Sequence, residues 1–257
     1  MNPAKLTAAR RRELESGEAE SASLQEWLAL DMAALLKAVM KASEAKAPEA
    51  AWLDLVRAMP VARRVEAIAL HLLDRHGDLL PMLAAHPSDT VRIWAAMMVG
   101  LGPKRPIAER LAALRPFAAD AHFGVREYAW MAFRPHLAAQ LSEGLAQLVE
   151  EAGRPEENLR RFAAEVSRPR GVGCAHLQAL RKQPDLGRPL LERLKADPSR
   201  YVQTSVANWI NDASKDQPAW AKALATDWEA TPHPATQWIL AHGLRSLRKR
   251  EAWGLGS

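Results

Sequence analysis

Residues 88–102 read SDTVRIWAAMMVGLG. Val91, Trp94, Ala95 and Met98 recur in steps of three and four, the spacing of one face of an α-helix. The arrangement returns as HFGVREYAWMAFRPH (122–136), ENLRRFAAEVSRPR (157–170), SRYVQTSVANWINDASK (199–215) and HPATQWILAHGLRSL (233–247). With Val91, Val125, Leu159, Val202 and Thr236 as equivalent anchors, the spacings are 34, 34, 43 and 34. The first three units share an arginine after the anchor (Arg92, Arg126, Arg160). They also share an aromatic three places on (Trp94, Tyr128, Phe162) and an alanine four places on (Ala95, Ala129, Ala163).

Helical runs at 106–119, 141–152 and 186–196 supply partners for these helices. A helix pair repeated at this period cannot bury its apolar face alone, whereas stacked pairs can. The expectation is therefore an all-α chain, an α-solenoid of HEAT-like helical repeats, curved, with a concave basic groove. It comprises about twelve to fourteen helices and no sheet. Prolines 60, 87, 106, 155, 198, 218 and 234 fall between helical runs or at their starts. The nine-residue excess before Val202 reads as an insertion carrying one extra short helix. The chain is expected to form one domain, 1–257: an N-terminal helical cap over 1–45, repeats over 46–250 and a tail over 251–257.

The composition is ordinary for a globular chain, 48% hydrophobic and 25% charged, so disorder is not expected away from the ends. The net charge of +5 is compatible with nucleic acid or an acidic surface, but decides neither. Cys174 is the single cysteine, which rules out an internal disulfide and suits a reducing cytoplasm. The charged opening MNPAKLTAARRRELESGEAE lacks the apolar run of a signal peptide. No stretch reaches the roughly 18 apolar residues of a membrane span. No HExxH or CxxC pattern marks a metal site. GVG lacks the preceding strand that a dinucleotide motif needs.

Opposite the apolar face, the positions two, six, nine and ten beyond each anchor share a flank. In the later repeats this flank collects Arg134, Glu165, Arg168, Asn208, Asn211, Asp212, Trp238, His242 and Arg245. It is poor in lysine and rich in arginine, amide and tryptophan, a composition suited to a binding surface rather than to a merely solvated wall. Of the tryptophans, Trp238 falls on this flank, Trp209 reads as core, and Trp130 lies between flank and outer surface.

EVSRPRGVGCAHLQAL, ADPSRYVQTSVANWINDASKDQP and PATQWILAHGLRSL together resemble the HEAT-like-repeat alkylpurine DNA glycosylases of the AlkC/AlkD type, nearer to AlkC, over roughly residues 85–250. The resemblance implies binding to alkylated double-stranded DNA, and a monomer is the expected state. It implies hydrolysis of the N-glycosidic bond of cationic N3- or N7-alkylated purines without a metal or other cofactor. Asp212 matches the acidic position of the ND motif, as main electrostatic stabiliser and water-positioning group. Glu165 matches the acidic position ahead of RPR, as second carboxylate. Arg134, Arg168, Arg170, Lys215 and Arg245 would hold phosphates, with Asn208, Asn211, Trp238 and His242 also at the DNA. The match breaks at Gly173, where AlkC-like sequences carry a tryptophan a few residues after RPR.

Plainer readings stand beside these. Glu165 can simply pair with Arg168, three residues on. Asp212 can tie a helix end to its loop. Cys174 reads as a small buried hydrophobe, and the basic 245–250 segment as either a phosphate contact or a solvated helix end. Three functional classes fit: a glycosylase, a HEAT-like protein that binds damaged or branched DNA without excision, and a protein-interaction solenoid.

Overall fold

A computed structural model describes residues 6–252. Among them there are seventeen α-helices, two short 3-10 turns and no strand. The chain packs as two compact units, Met1–Ala132 and Phe133–Ser257.

The first unit begins with α1 (Ala8–Ser16), α2 (Leu24–Ala29), α3 (Met32–Ala42) and α4 (Ala50–Ala58). It continues with α5 (Val61–His76), α6 (Leu80–Ala84), α7 (Asp89–Leu101), α8 (Ile107–Ala118) and the start of α9 (Phe123–Ala139). Helix α7 packs on α5, α6 and α8. The second unit holds α10 (Leu141–Glu151), α11 (Glu157–Val166), α12 (Gln178–Lys182), α13 (Arg188–Leu194) and α14 (Arg200–Ser214). It ends with α15 (Pro218–Glu229), α16 (Pro234–Gly243) and α17 (Arg245–Ala252). Here α11, α14 and α16 pack side by side, while α10, α13 and α15 pack behind them as their partners.

Every anchor is buried: Val91, Val125, Leu159, Val202 and Thr236 are each 9% exposed or less. The arginine that follows the anchor has a repeated task. Arg92 donates to His86 O and Pro87 O, Arg126 to Asp120 O and Ala121 O, and Arg160 to Arg154 O and Pro155 O. Each fastens the loop that enters its own helix, satisfying carbonyls that the helix cannot. Arg92 and Arg160 also grip the aspartate of the next entering loop, Asp120 and Asp197. The repeat is therefore held by a recurring polar brace as well as by its apolar stripe.

The helix count exceeds the expected twelve to fourteen because short helices such as α2, α6 and α12 carry too few residues to show a periodicity. The insertion before Val202 does contain one, α12, followed by a 3-10 turn over Pro184–Gly187. Pro116 and Pro135 lie inside α8 and α9, against the expectation that prolines only punctuate. Within the expected tail, residues 253–257 lie outside the described residues.

Candidate active site

Helix α11 brings Glu165 to its last turn, and Pro169 prevents the helix from continuing. Ser167 caps the break, its hydroxyl donating to Ala163 O and Ala164 O. The chain then swings Arg168 towards α14, where Asp212 occupies the final turn. Arg168 Nη1 donates to Glu165 Oε1 at 2.6 Å, and its Nε to Asp212 Oδ2 at 2.9 Å. One guanidinium thus bridges two carboxylates from different repeats.

The remaining carboxylate oxygens are also held. Ser205 Oγ donates to Glu165 Oε2 at 2.9 Å, and Arg161 lies 3.7 Å from the same oxygen with its guanidinium over the Tyr201 ring. Lys215 Nζ donates to Asp212 Oδ1 at 3.1 Å. Glu165, Asp212 and Arg168 are all buried, whereas the Lys215 side chain is 37% exposed. Lys215 is therefore where this cluster meets solvent. Burial works against the charge of Arg168, but the two neighbouring carboxylates outweigh it and hold its proton more tightly than usual. Charge pairing and hydrogen bonds together allow these groups to be buried at all.

Arg134 is not at a surface. It is 3% exposed and donates to Val166 O, Arg168 O and Ala175 O at 2.7, 2.8 and 3.0 Å. The 167–176 segment folds over α9, so this flank position faces main-chain carbonyls rather than phosphates. Burial lowers the pKa of Arg134 below the ordinary guanidinium value. Arg170 is half-buried and pairs with Asp216, which Arg181 also grips. Asn211, 3% exposed, accepts the N–H of Ser246 and so serves the start of α17. Trp130 is 1% exposed and belongs to the core, its indole donating to Glu127. Trp209 is core as expected. Cys174 is half-buried rather than buried, and burial pushes its thiol up, which disfavours the thiolate.

The other expected binding residues do lie together on the outside. The Arg200 guanidinium sits 4.0 Å over the Trp238 ring, and Trp238 stacks on His242 at 3.8 Å. Arg245 donates to His242 O at 2.7 Å and to Asn208 Oδ1 at 2.9 Å. A continuous cation–aromatic–amide strip thus runs from α14 across α16 to α17. Arg200, Ser205, Arg161 and Asp216 were not singled out in the sequence. Ser205 had a readable signal: it stands three places after its anchor, where the first three repeats carry Trp94, Tyr128 and Phe162.

The Asp216 cluster predicts an acid response. Hydrogen bonds from Arg181 and Arg170, opposed by partial burial, hold the Asp216 carboxyl well below the usual carboxylate range. Its folded-state affinity for a proton is lower than in the unfolded chain, so its stabilisation is complete above the unfolded value of about 3.9. That stabilisation is lost as pH falls below this value. In thermal melts Asp216→Asn should lie below the parent at neutral pH, and the gap should narrow steadily as pH falls below about 4. A gap that does not change with pH would contradict this.

Among the described residues no helix is long and apolar enough to cross a membrane, and no group of three or more His, Cys, Asp or Glu could hold a metal ion.

No protein-family model matches the chain. The uncharacterized protein YhaZ of Bacillus subtilis (strain 168) is 40% identical over 119 residues, which is 46% of this chain and 33% of that protein. The chain thus spans a third of this relative. Among solved structures, Pseudomonas fluorescens alkylpurine DNA glycosylase AlkC, bound to DNA containing an abasic site analog, matches with a TM-score of 0.65 and 29% identity. The match covers 77% of this chain and 57% of that one. AlkD2 from Streptococcus mutans matches at a TM-score of 0.60 and 21% identity, over 74% of this chain and 92% of that one. The protein smu.31 from Streptococcus mutans UA159 matches at 0.59 and 21%, over 71% and 90%. At 21% identity these last two speak for the fold alone. The chain therefore has the all-α helical-repeat fold of the AlkC and AlkD proteins. The expected likeness to the AlkC and AlkD proteins thus holds for the fold.

Proposed function

We propose that this chain is a DNA glycosylase that hydrolyses the N-glycosidic bond of cationic N3- or N7-alkylated purines in duplex DNA. The observation that carries this reading is the Glu165–Arg168–Asp212 bridge at the end of α14, together with the Arg200–Trp238–His242 stack at the start of the same helix. A groove built only to hold phosphates gains nothing from two carboxylates, which repel DNA. A site that must stabilise a positive sugar gains a great deal from them.

The alkylated base already carries a positive charge and leaves as a neutral purine. The deoxyribose becomes oxocarbenium-like, and water adds at the anomeric carbon and gives up a proton. Asp212 faces that charge with the oxygen held by Lys215 in the free protein, and it orients the water. Glu165 is the second carboxylate, fixed through Arg168 and Ser205. Lys215, Arg200 and Arg245 supply the solvent-facing positive charge for phosphates. Arg134 and Arg168 act from within, and Arg170 acts through Asp216. Trp238 and His242 offer an aromatic surface to base or sugar. The protein works as a monomer in the cytoplasm and needs no metal or other cofactor.

One pair of observations favours a second reading, DNA binding without excision. Every oxygen of the two carboxylates has a cationic or hydroxyl partner, and position 173 presents no side chain. Binding to duplex DNA as a function of salt tests what the two readings share. With three to four phosphates engaged, the log–log slope should be about −3. Duplexes carrying N3- or N7-methylpurines then separate the two, since free base appears only under the first. No measurable DNA binding would leave an interaction scaffold.

A further inference from the structure

The first unit holds a cleft that has no part in the reading above. Helix α3 stops at Ser43, and Glu44 turns the chain with φ +54°, a left-handed conformation that glycine usually supplies at a helix end. The N–H groups of Glu44 and Ala45 close on Lys41 O and Met40 O at 3.2 and 2.9 Å, which fixes the direction in which the chain leaves. Residues 46–49 then line a cavity of about 510 Å³ together with the first turn of α4 and the end of α5. That volume suits a small molecule rather than a lone ion.

One wall of the cleft is aromatic. Trp52 and His71 have ring centroids 4.7 Å apart, and His76 follows 6.0 Å from His71. All three rings are only half-buried. The indoles of Trp130, Trp209, Trp220 and Trp228 donate within the protein. Trp52 and His71, in contrast, hydrogen-bond to no described residue. Burial, with His76 and Arg75 nearby, pushes the His71 pKa down, so its ring is neutral at pH 7 and offers one donor and one acceptor. The rim is charged. Lys46 and Glu49 are exposed, and Arg75 pairs with Asp74 at 2.7 Å while their side chains stay 70% and 73% exposed. A pair this exposed contributes little and opens readily to another partner.

We propose that this cleft binds one purine nucleoside monophosphate unit, its base on the Trp52–His71 wall and its phosphate between Lys46 and Arg75. Aromatic side chains hold a base by its face, and the indole N–H and neutral imidazole meet its edge. Lys46 and Arg75 supply charge-assisted hydrogen bonds to the phosphate. Glu49 and Asp74 accept from sugar hydroxyl or base amino groups. Two cations against two acids leave the rim without surplus positive charge, which suits one phosphate and not a polyphosphate or a continuous duplex backbone. A free nucleotide and the terminal nucleotide of a DNA strand present the same groups. The cleft lies wholly in the first unit and stands independently of base excision.

Calorimetric titration of the full chain with dAMP, deoxyadenosine and inorganic phosphate tests this. dAMP should bind more tightly than either fragment. Trp52→Leu should weaken dAMP binding by roughly 5–150-fold, the range for losing one base–aromatic stack. Lys46→Ala, at an exposed loop position, should weaken dAMP binding about tenfold and leave deoxyadenosine unchanged. Equal melting temperatures would verify that both variants fold, and Lys46→Ala carries the test if Trp52→Leu does not. A 5′-phosphorylated single-stranded oligonucleotide that displaces dAMP identifies a strand end as the occupant, and one that does not displace it identifies the free nucleotide. No binding of dAMP at millimolar concentration would overturn the assignment, as would binding that both variants leave unchanged. Base release from alkylated duplex should be the same in parent and variants, so a failure here leaves the excision reading standing.

Discussion

Replacing Arg168 with methionine is expected to destabilise the protein by about 3–5 kcal/mol, among the largest effects of any single substitution outside the apolar core. The substitution leaves Glu165 and Asp212 buried without the guanidinium that joins them. Ser205, Arg161 and Lys215 still touch the acids, but none of them bridges both. Denaturant unfolding measures this directly. Making all three positions apolar, Glu165→Leu with Arg168→Met and Asp212→Leu, should recover most of the loss, since a buried ion cluster contributes little net stability over packed hydrocarbon. Such a variant, folded but inert, would show that the cluster is retained for function.

The second large effect falls on chemistry. Asp212→Asn keeps the shape of the side chain and removes its charge. If Asp212 stabilises the oxocarbenium-like sugar, single-turnover base release should drop by about 10²–10³, the scale of losing one preorganised electrostatic partner. Glu165→Gln should cost less, because that carboxylate is held by Arg168, Ser205 and Arg161, whereas Asp212 meets the part-exposed Lys215. DNA affinity should stay equal or rise in both, as each variant removes a negative charge near the phosphates. A drop in affinity that parallels the drop in rate would mean the acids act only on structure.

The 34-residue period was legible because every unit must bury the same points. Val91, Val125, Leu159, Val202 and Thr236 are all interior, whatever the sequence between them does. The two acids were legible from their flank positions and the family resemblance. The Glu165–Arg168 pair was legible from its spacing and is present; the reach of Arg168 on to Asp212 was not, because Pro169 ends α11 and turns the chain towards α14. Arg134 misled for a related reason. Helical spacing places it on an open flank, but the 167–176 loop covers that flank, and no periodicity reports a loop folding back. Asn211 likewise meets the first N–H groups of α17, a tertiary demand that local pattern does not express. Where a side chain met solvent rather than a returning segment, as with Trp238, His242 and Arg245, the flank reading placed it on the surface.

The central claim is that the Glu165–Arg168–Asp212 bridge serves base excision. The most direct measurement is free-base release from a duplex carrying N7-methylguanine, with the unmodified protein in excess and protein-free DNA as reference. The account predicts first-order release well above the spontaneous rate, confined to the alkylated base and largely lost in Asp212→Asn. Release no faster than in protein-free DNA, from a protein that nonetheless binds the duplex tightly, would contradict it and leave a DNA-binding protein that carries the acids without the reaction.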